Sequence, residues 1–293
     1  MTRLLLFLGT NIAVLAVATA AFKVLGLEDM IANSGTDINL VGLLIFSAIF
    51  GMAGSFVSLA MSKWLALRST GARVIDQPRN ATESWLLATV KRQSEQAGIG
   101  MPDVAVYDAP DLNAFATGMN RNKALVAVTT GLLQGMTQDE VEAVLAHEVS
   151  HVANGDMVTM GLIQGVLNTF VIFFSRIIGM VVDRAVFRNE RGTGIGYFMV
   201  VMVAQVLLGI LASIIAMWFS RRREFRADAG GAQLAGRQKM ISALERLNSS
   251  YGQSTLPESV EAFGISGRNG GGLRRLLMSH PPLPERIEAL RRG

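Results

Sequence analysis

The sequence contains no cysteine, little charge and only three histidines among its 293 residues. Without cysteine the chain has neither a disulfide framework nor a thiolate metal site, so any metal ion must be bound by histidine and carboxylate groups. Charged residues make up 17% of the chain, against about 25% in average soluble domains. The net charge of +4 is small and lies beside apolar segments, so we expect no nucleic-acid partner.

Four uncharged segments account for the positive mean hydropathy. They are residues 4–22, 38–62, 157–175 and 192–220. Each approaches or exceeds the roughly 20 residues that cross about 30 Å of hydrocarbon. The segments predict a mainly α integral membrane protein with four hydrophobic helices in contact with the lipid bilayer. Because small residues occupy positions 18–20, the first segment also fits a cleavable secretory signal.

The distribution of basic residues predicts the orientation in the membrane. The loop between the first two segments contains one basic residue, whereas basic residues cluster after the second and fourth segments. The positive-inside rule then places residues 63–156 and the C-terminal part in the cytoplasm. Four arginines between positions 176 and 191 conflict with this orientation. Residues 157–220 are therefore either an exception or a hairpin that does not fully cross.

The more polar parts of the chain predict a small α+β domain. An amphipathic pattern indicates a helix over residues 82–98, and short apolar stretches at 104–107, 114–117 and 124–130 indicate strands. Glycines make residues 264–272 a predicted mobile loop, and a basic helix is predicted over 285–292.

We therefore divide the chain into four parts. Residues 1–62 and 157–220 are predicted to be hydrophobic hairpins. Residues 63–156 and 221–293 are predicted to form the two parts of a cytoplasmic domain.

One polar helix contains two of the three histidines. A capping box begins it at Thr137, and the asparagine–glycine pair ending at Gly155 is a stop signal. Charged residues in its first turn exclude a membrane span, and with it an intramembrane metalloprotease. His147 and His151 are four residues apart on this helix, so both imidazoles reach a single ion. Glu148 lies on the adjacent flank, where it can take a proton from a water at the site without being a ligand.

Zinc suits a site of two imidazoles, a carboxylate and one open position. The spacing alone leaves the third ligand open. Asp156 follows a glycine and is rotated about 140° from His151 around a helix, a poor position for a ligand. His280 precedes two prolines, which suits a loop. Glu224 and Asp228 are better candidates, because they share one helical face; one could bind the ion while the other accepts the second ring proton of a ligand histidine.

Several motifs together resemble the HtpX family of membrane-bound zinc metallopeptidases, which is related to the CAAX prenyl protease. They are NAFATG at 113–118, EVEAVLAHEVSH with the following NGD, RRREFRAD and the terminal SHPP. The resemblance covers nearly the whole chain. It implies a zincin-like (gluzincin) protease domain with one Zn²⁺ per chain, bound by His147, His151 and Glu224. Glu148 would be the catalytic base.

The resemblance also implies roles for residues around the ion. Asp228 would orient a ligand histidine, and His280 would contact the substrate or the transition state. An edge strand that pairs with substrate backbone would contain Asn113, Ala114, Phe115 and Ala116. The implied function is a zinc endopeptidase of the bacterial inner membrane, multi-pass, that cleaves misfolded or damaged membrane proteins at the cytoplasmic face in quality control and stress response.

Two other functions fit parts of the sequence. A multi-pass transporter or scaffold would bind a structural zinc through four protein ligands and would not need Glu148. A protease for prenylated peptides would require a lipidated C-terminal motif and more spans to enclose a chamber. The sequence leaves the oligomeric state, the physiological substrate and the cleavage preference open.

Overall fold

The computed structural model describes residues 39–188, 194–250, 276 and 278–292. These residues form eight helices and four strands. In chain order the elements are α1 (Leu40–Thr70), β1 (Arg73–Val74), α2 (Ala81–Gln96), β2 (Asp103–Tyr107), β3 (Ala114–Thr117), β4 (Leu125–Thr129), α3 (Thr130–Gly135), α4 (Gln138–Asn154), α5 (Asp156–Ala185), α6 (Ile195–Ala235), α7 (Arg237–Ser249) and α8 (Leu283–Arg292). The described chain divides into two compact units. The apolar unit takes its residues from 1–58 and 161–216, and the site unit from 59–160 and 217–293.

Three of the described helices, α1, α5 and α6, are long and apolar enough to cross a membrane. They correspond to the second, third and fourth predicted segments, while the first segment, residues 4–22, lies outside the described residues. Helix α6 has 41 residues and continues without a break from the uncharged stretch through the sequence EFRAD. The fourth apolar segment and the helical face with Glu224 and Asp228 therefore belong to one continuous helix.

Small residues let two helices of the apolar unit pack closely. A Cβ atom at Gly51 of α1 would lie 2.5 Å from the backbone nitrogen of Thr169 on α5. Such close approach at small residues is the usual basis of helix packing in membranes. Beside it, Leu44 and Phe173 belong to a buried apolar cluster.

The site unit contains a four-stranded sheet in the order β1-β2-β4-β3. Strands β2 and β4 are parallel, and β3 pairs antiparallel with β4, so β3 forms one edge. The three predicted strands agree with β2, β3 and β4 to within one residue at each end. The two-residue strand β1 and the short helix α3 were not predicted.

Helix α4 lies at the centre of this unit. Thr137 and Glu140 make both hydrogen bonds of the predicted capping box, and Gly155 ends the helix with a left-handed φ of 71°. Its apolar face belongs to the main core, together with residues from α2, the sheet, α7 and α8. Eleven of the twelve residues from Val141 to Val152 are buried, including both histidines. The helix is therefore held on nearly every side.

Candidate metal centre

His147 and His151 lie side by side on α4, one helical turn apart. Their Nε2 atoms are 3.1 Å apart, and the two rings meet edge to face with centroids 4.6 Å apart. Both side chains are buried, at 1% and 5% exposure for the residues. Buried imidazole nitrogens need partners, so two of them converging on one point indicates a shared ligand.

Helix α6 brings a carboxylate to the same point. Glu224 is fully buried, with Oε2 at 3.6 Å from His147 Nε2 and Oε1 at 3.3 Å from His151 Nε2. Donor atoms around a tetrahedral zinc ion are about 3.3 Å apart, given metal–ligand bonds near 2.0–2.1 Å. Oε1 of Glu224 is buried and has no hydrogen-bond partner within the described part of the chain. Both the donor set and its spacing thus fit zinc, and these three residues form a group that could hold a metal ion.

Each of the two histidines has a further carboxylate at Nδ1, the ring nitrogen that does not face Glu224. Asp228 Oδ1 lies 3.0 Å from Nδ1 of His147, and Asp156 Oδ2 lies 2.6 Å from Nδ1 of His151. A carboxylate at Nδ1 holds the ring proton there and leaves the lone pair of Nε2 for a metal. Burial disfavours the charged ring of His151, but Glu224 and Asp156 outweigh it and raise its pKa to about 9.

The spacing of the residues did not reveal that Asp156 is the partner of His151. The spacing predicts a poor position for a ligand, and the structure places Asp156 at Nδ1 of His151 and not in the group that could hold a metal ion. Its position was judged by continuing a helix past His151, but the left-handed turn at Gly155 ends α4 and α5 begins at Asp156 itself. The NGD sequence directly after the histidines was the available signal.

The side chain of Glu148 is buried beside the two histidines. The residue is 4% exposed. Burial raises the pKa of its carboxyl, while the nearby imidazoles of His147 and His151 oppose that rise. A carboxyl group with a raised pKa is suited to accept a proton and release it again.

The third histidine lies against the Glu224 carboxylate. Nδ1 of His280 is 2.7 Å from Glu224 Oε2, and Nε2 is buried without a hydrogen-bond partner among the described residues. Because a carboxylate only accepts, Nδ1 carries the ring proton. Burial lowers the pKa of His280, against the pull of Glu224. The loop position expected from the following prolines is what the structure shows, since α8 begins at Leu283.

Arg286 is a further residue of the centre that the sequence did not reveal. It is fully buried, and its guanidinium donates to both oxygens of Asp228 at 2.6 and 2.8 Å. Arginine is seldom fully buried, which makes it easy to overlook. It stands, however, between Leu283 and Ile287 on the apolar face of α8, and a charged residue on such a face was a signal.

The predicted substrate strand is β3. Ala114, Phe115 and Ala116 pair with β4 on one side, and β3 has no second partner strand in the described sheet. Asn113 precedes the strand, is buried, and donates from its side-chain amide to the Tyr107 hydroxyl at 3.4 Å. The strand packs beside α4, which contains the histidines.

Comparisons with known proteins agree on one family. Residues 80–293 match the model of peptidase family M48. The chain is 62% identical over 290 residues to a protein named Protease HtpX homolog from Nitrosomonas europaea, covering 99% of each. It is 60% identical over 291 residues to Protease HtpX from Thioalkalivibrio sulfidiphilus, again covering 99% of each. The crystal structure of S. mikatae Ste24p has a TM-score of 0.59 at 17% identity, over 99% of this chain and 67% of that one. The similarity to Ste24p shows a shared fold.

Proposed function

The chain belongs to peptidase family M48 as a bacterial metalloprotease of the HtpX type, and from that premise we propose a specific activity. It is a zinc-dependent endopeptidase with one Zn²⁺ per chain, and it cleaves misfolded or damaged membrane proteins at the cytoplasmic face of the inner membrane. This activity serves membrane-protein quality control during stress. Family membership excludes the transporter or scaffold interpretation of the sequence.

One observation carries the proposal: the Nε2 atoms of His147 and His151 and the two carboxylate oxygens of Glu224 converge from two helices, with 3.1–3.6 Å between atoms of different residues. His147, His151 and Glu224 hold the zinc ion in a zincin-like domain. When bound, zinc supplies a Lewis acid that activates water and polarises the scissile carbonyl. Three protein ligands are also the number found in catalytic zinc sites, which keep a further position for water or substrate.

The remaining residues move and orient protons. Glu148 takes a proton from the attacking water and passes it to the leaving amine, a role that its burial beside the imidazoles supports. Asp228 and Asp156 keep the Nδ1 protons of the two ligand histidines in place. His280 contacts the substrate or transition state through Nε2, which is buried without a partner among the described residues while Nδ1 donates to Glu224.

Substrate backbone pairs with the free edge of β3. Main-chain hydrogen bonds to an edge strand give affinity with little demand on side-chain identity. The position of Ala114, Phe115 and Ala116 at the sheet edge supports this role, and Asn113 holds the start of the strand. Such recognition predicts broad specificity, which suits unfolded segments of damaged proteins.

The apolar residues anchor the enzyme in the lipid bilayer. We assign residues 1–62 and 157–220 to membrane hairpins, and 63–156 and 221–293 to the two parts of the catalytic domain. The basic residues that follow α1 and the apolar part of α6 support a cytoplasmic catalytic domain by the positive-inside rule. Glu224 follows the uncharged stretch of α6 by four residues, so the same helix contributes to a membrane hairpin and to the catalytic domain.

Wild type and two variants test the activity. Purified wild type is expected to contain one zinc per chain and to hydrolyse casein. Glu148→Gln is expected to keep its zinc and lose turnover by roughly 10²–10⁴-fold, the usual contribution of a general base. Glu224→Ala is expected to lose both zinc and activity. Zinc content is measured by elemental analysis of the same preparations used for the assay.

Glu288→Gln provides the matched control, because Glu288 is exposed on α8 and pairs with Arg292. It should retain both zinc and activity. Wild-type turnover in zinc-loaded Glu148→Gln would refute the assignment of the base. A wild-type enzyme that cleaved a prenylated peptide but left casein intact would instead support the lipidated-peptide alternative.

A further inference from the structure

The C-terminal helix brings a buried positive charge to the metal centre. Arg286 Nε and Nη2 donate to Asp228 Oδ2 and Oδ1 at 2.8 and 2.6 Å, and Nη1 lies 3.5 Å from Glu224 Oε2. Nη2 is also 3.5 Å from Nδ1 of His147. The guanidinium of Arg286 therefore contacts Glu224 and His147, two of the proposed zinc ligands. It also contacts Asp228, the carboxylate that pairs with His147.

The fork geometry determines how Asp228 can move. A guanidinium that binds both oxygens of a carboxylate holds the plane of that carboxylate, which a lysine ammonium cannot do. Oδ1 of Asp228 is shared between Arg286 and Nδ1 of His147. If the carboxylate rotated, the imidazole would lose its acceptor and with it the direction of Nε2.

The charge of the centre also favours a cation at this position. Glu148, Asp156, Glu224 and Asp228 are four buried acidic residues around one prospective divalent ion. The ion would supply two positive charges, and Arg286 supplies a further one beside Asp228 and Glu224. A buried charge without a partner is strongly unfavourable, so the guanidinium stabilises these carboxylates.

Helix α8 is held firmly enough to deliver this charge. Leu283, Ile287 and Leu290 are buried in the main core on the same face as Arg286. The anchoring residues surround the arginine in sequence, so its guanidinium is delivered by a packed helix rather than by a loop.

We infer that Arg286 is a positioning residue for zinc, which acts through Asp228 to hold His147 in its metal-binding orientation. The inference rests on the proposed function, because it requires a metal ion at His147, His151 and Glu224. It makes the C-terminal helix part of the metal centre, although that helix supplies none of the three ligands.

The test is the zinc dissociation constant of the full-length protein in detergent, measured by competition with a chromogenic chelator. Residues that orient zinc ligands typically contribute 10–100-fold to affinity. We expect Arg286→Met to weaken zinc binding by at least about 10-fold. Arg292→Met is the control, because Arg292 lies on the same helix with a side chain that is 77% exposed. It should bind zinc as wild type does.

A double-mutant cycle separates positioning from general packing. If Arg286 acts through Asp228, adding Arg286→Met to Asp228→Asn should cause little further loss of zinc affinity. The double variant also removes both buried charges, which favours folding. Should Arg286→Met fail to fold, Arg286→Lys decides the matter, because it keeps the charge but loses the fork. It should also bind zinc at least about 10-fold more weakly than wild type.

Thermal denaturation with and without zinc gives the second measurement. Positioning predicts that zinc stabilises the Arg286 variants less than wild type, since stabilisation follows affinity. Wild-type affinity in Arg286→Met or Arg286→Lys would overturn the inference, as would an equal loss with and without Asp228. Absence of zinc binding by wild type would refute the proposed function itself, so the two failures are distinguishable.

Discussion

The two histidines of the candidate metal centre have the same chemistry, but the protein supports them in different ways. The carboxylate at Nδ1 of His151 comes from Asp156, five residues later and immediately after the turn that ends the helix. The carboxylate at Nδ1 of His147 comes from Asp228 on α6, and Arg286 on α8 binds it in turn. One half of the centre is therefore local in sequence, and the other half needs three separate segments.

This difference indicates which half depends on the tertiary structure. The local half requires α4 and the turn after it, both of which have their own capping signals. The distant half requires α6 and α8 to pack correctly on α4, and it contains a buried ion pair. A buried pair is costly to break from one side, because the remaining charge stays in the protein without a partner.

The largest difference should appear when each supporting carboxylate is replaced. Asp228→Asn leaves Arg286 buried with its main counter-charge removed, so we expect unfolding to become easier by roughly 3–5 kcal/mol. Asp156→Asn loses a charge-assisted hydrogen bond to His151, which keeps Glu224 beside it, and we expect a smaller cost of about 1.5–3 kcal/mol. Denaturation of the zinc-free proteins in detergent measures both. Equal losses in the two variants would contradict the contrast between the halves.

A second expectation concerns the close contact of α6 with α4. A Cβ at Gly230 would lie 2.7 Å from the Ser150 hydroxyl, between the two histidines in sequence. Gly230→Ala should therefore force the helices apart and cost about 1–3 kcal/mol, the usual range for overpacking. The same substitution at Gly209, also on α6, meets nothing within 4 Å and serves as the control.

Zinc affinity shows whether the movement of α6 in Gly230→Ala changes the metal centre. Moving α6 outward displaces both Glu224 and Asp228, so Gly230→Ala should also weaken zinc binding, whereas Gly209→Ala should not. Unchanged zinc affinity in a destabilised Gly230→Ala protein would show that the centre tolerates movement of α6.

Local signals made much of helix α4 predictable. The capping box at Thr137 and the stop at Gly155 mark its two ends, and the structure shows both caps. The helical spacing of His147 and His151, and of Glu224 and Asp228, suggested which side chains share a face. Short-range rules of this kind require no knowledge of the rest of the fold.

The parts that were missed depend on tertiary context or on a change in backbone direction. Strand β1 has two residues and is defined by its pairing with β2, which no local pattern reveals. Asp156 was judged as if the helix continued, but a left-handed residue redirects the chain. The place of Arg286 on an apolar helical face was a signal, but its pairing with Asp228 spans 58 residues and no local pattern reveals it.

The smallest expected effect tests the local half at Gly155. Its φ of 71° lies in the left-handed region, where a Cβ is unfavourable by about 1 kcal/mol or somewhat more. Gly155→Ala should therefore destabilise the protein by about that amount and disturb the turn that brings Asp156 to His151. Gly155→Asn is the matched variant, because asparagine tolerates this conformation better. Denaturation and zinc competition on both proteins should show a smaller loss for asparagine than for alanine. If alanine left zinc affinity unchanged, His151 would not depend on this turn for its orientation, and the local half would be secured by the helix alone.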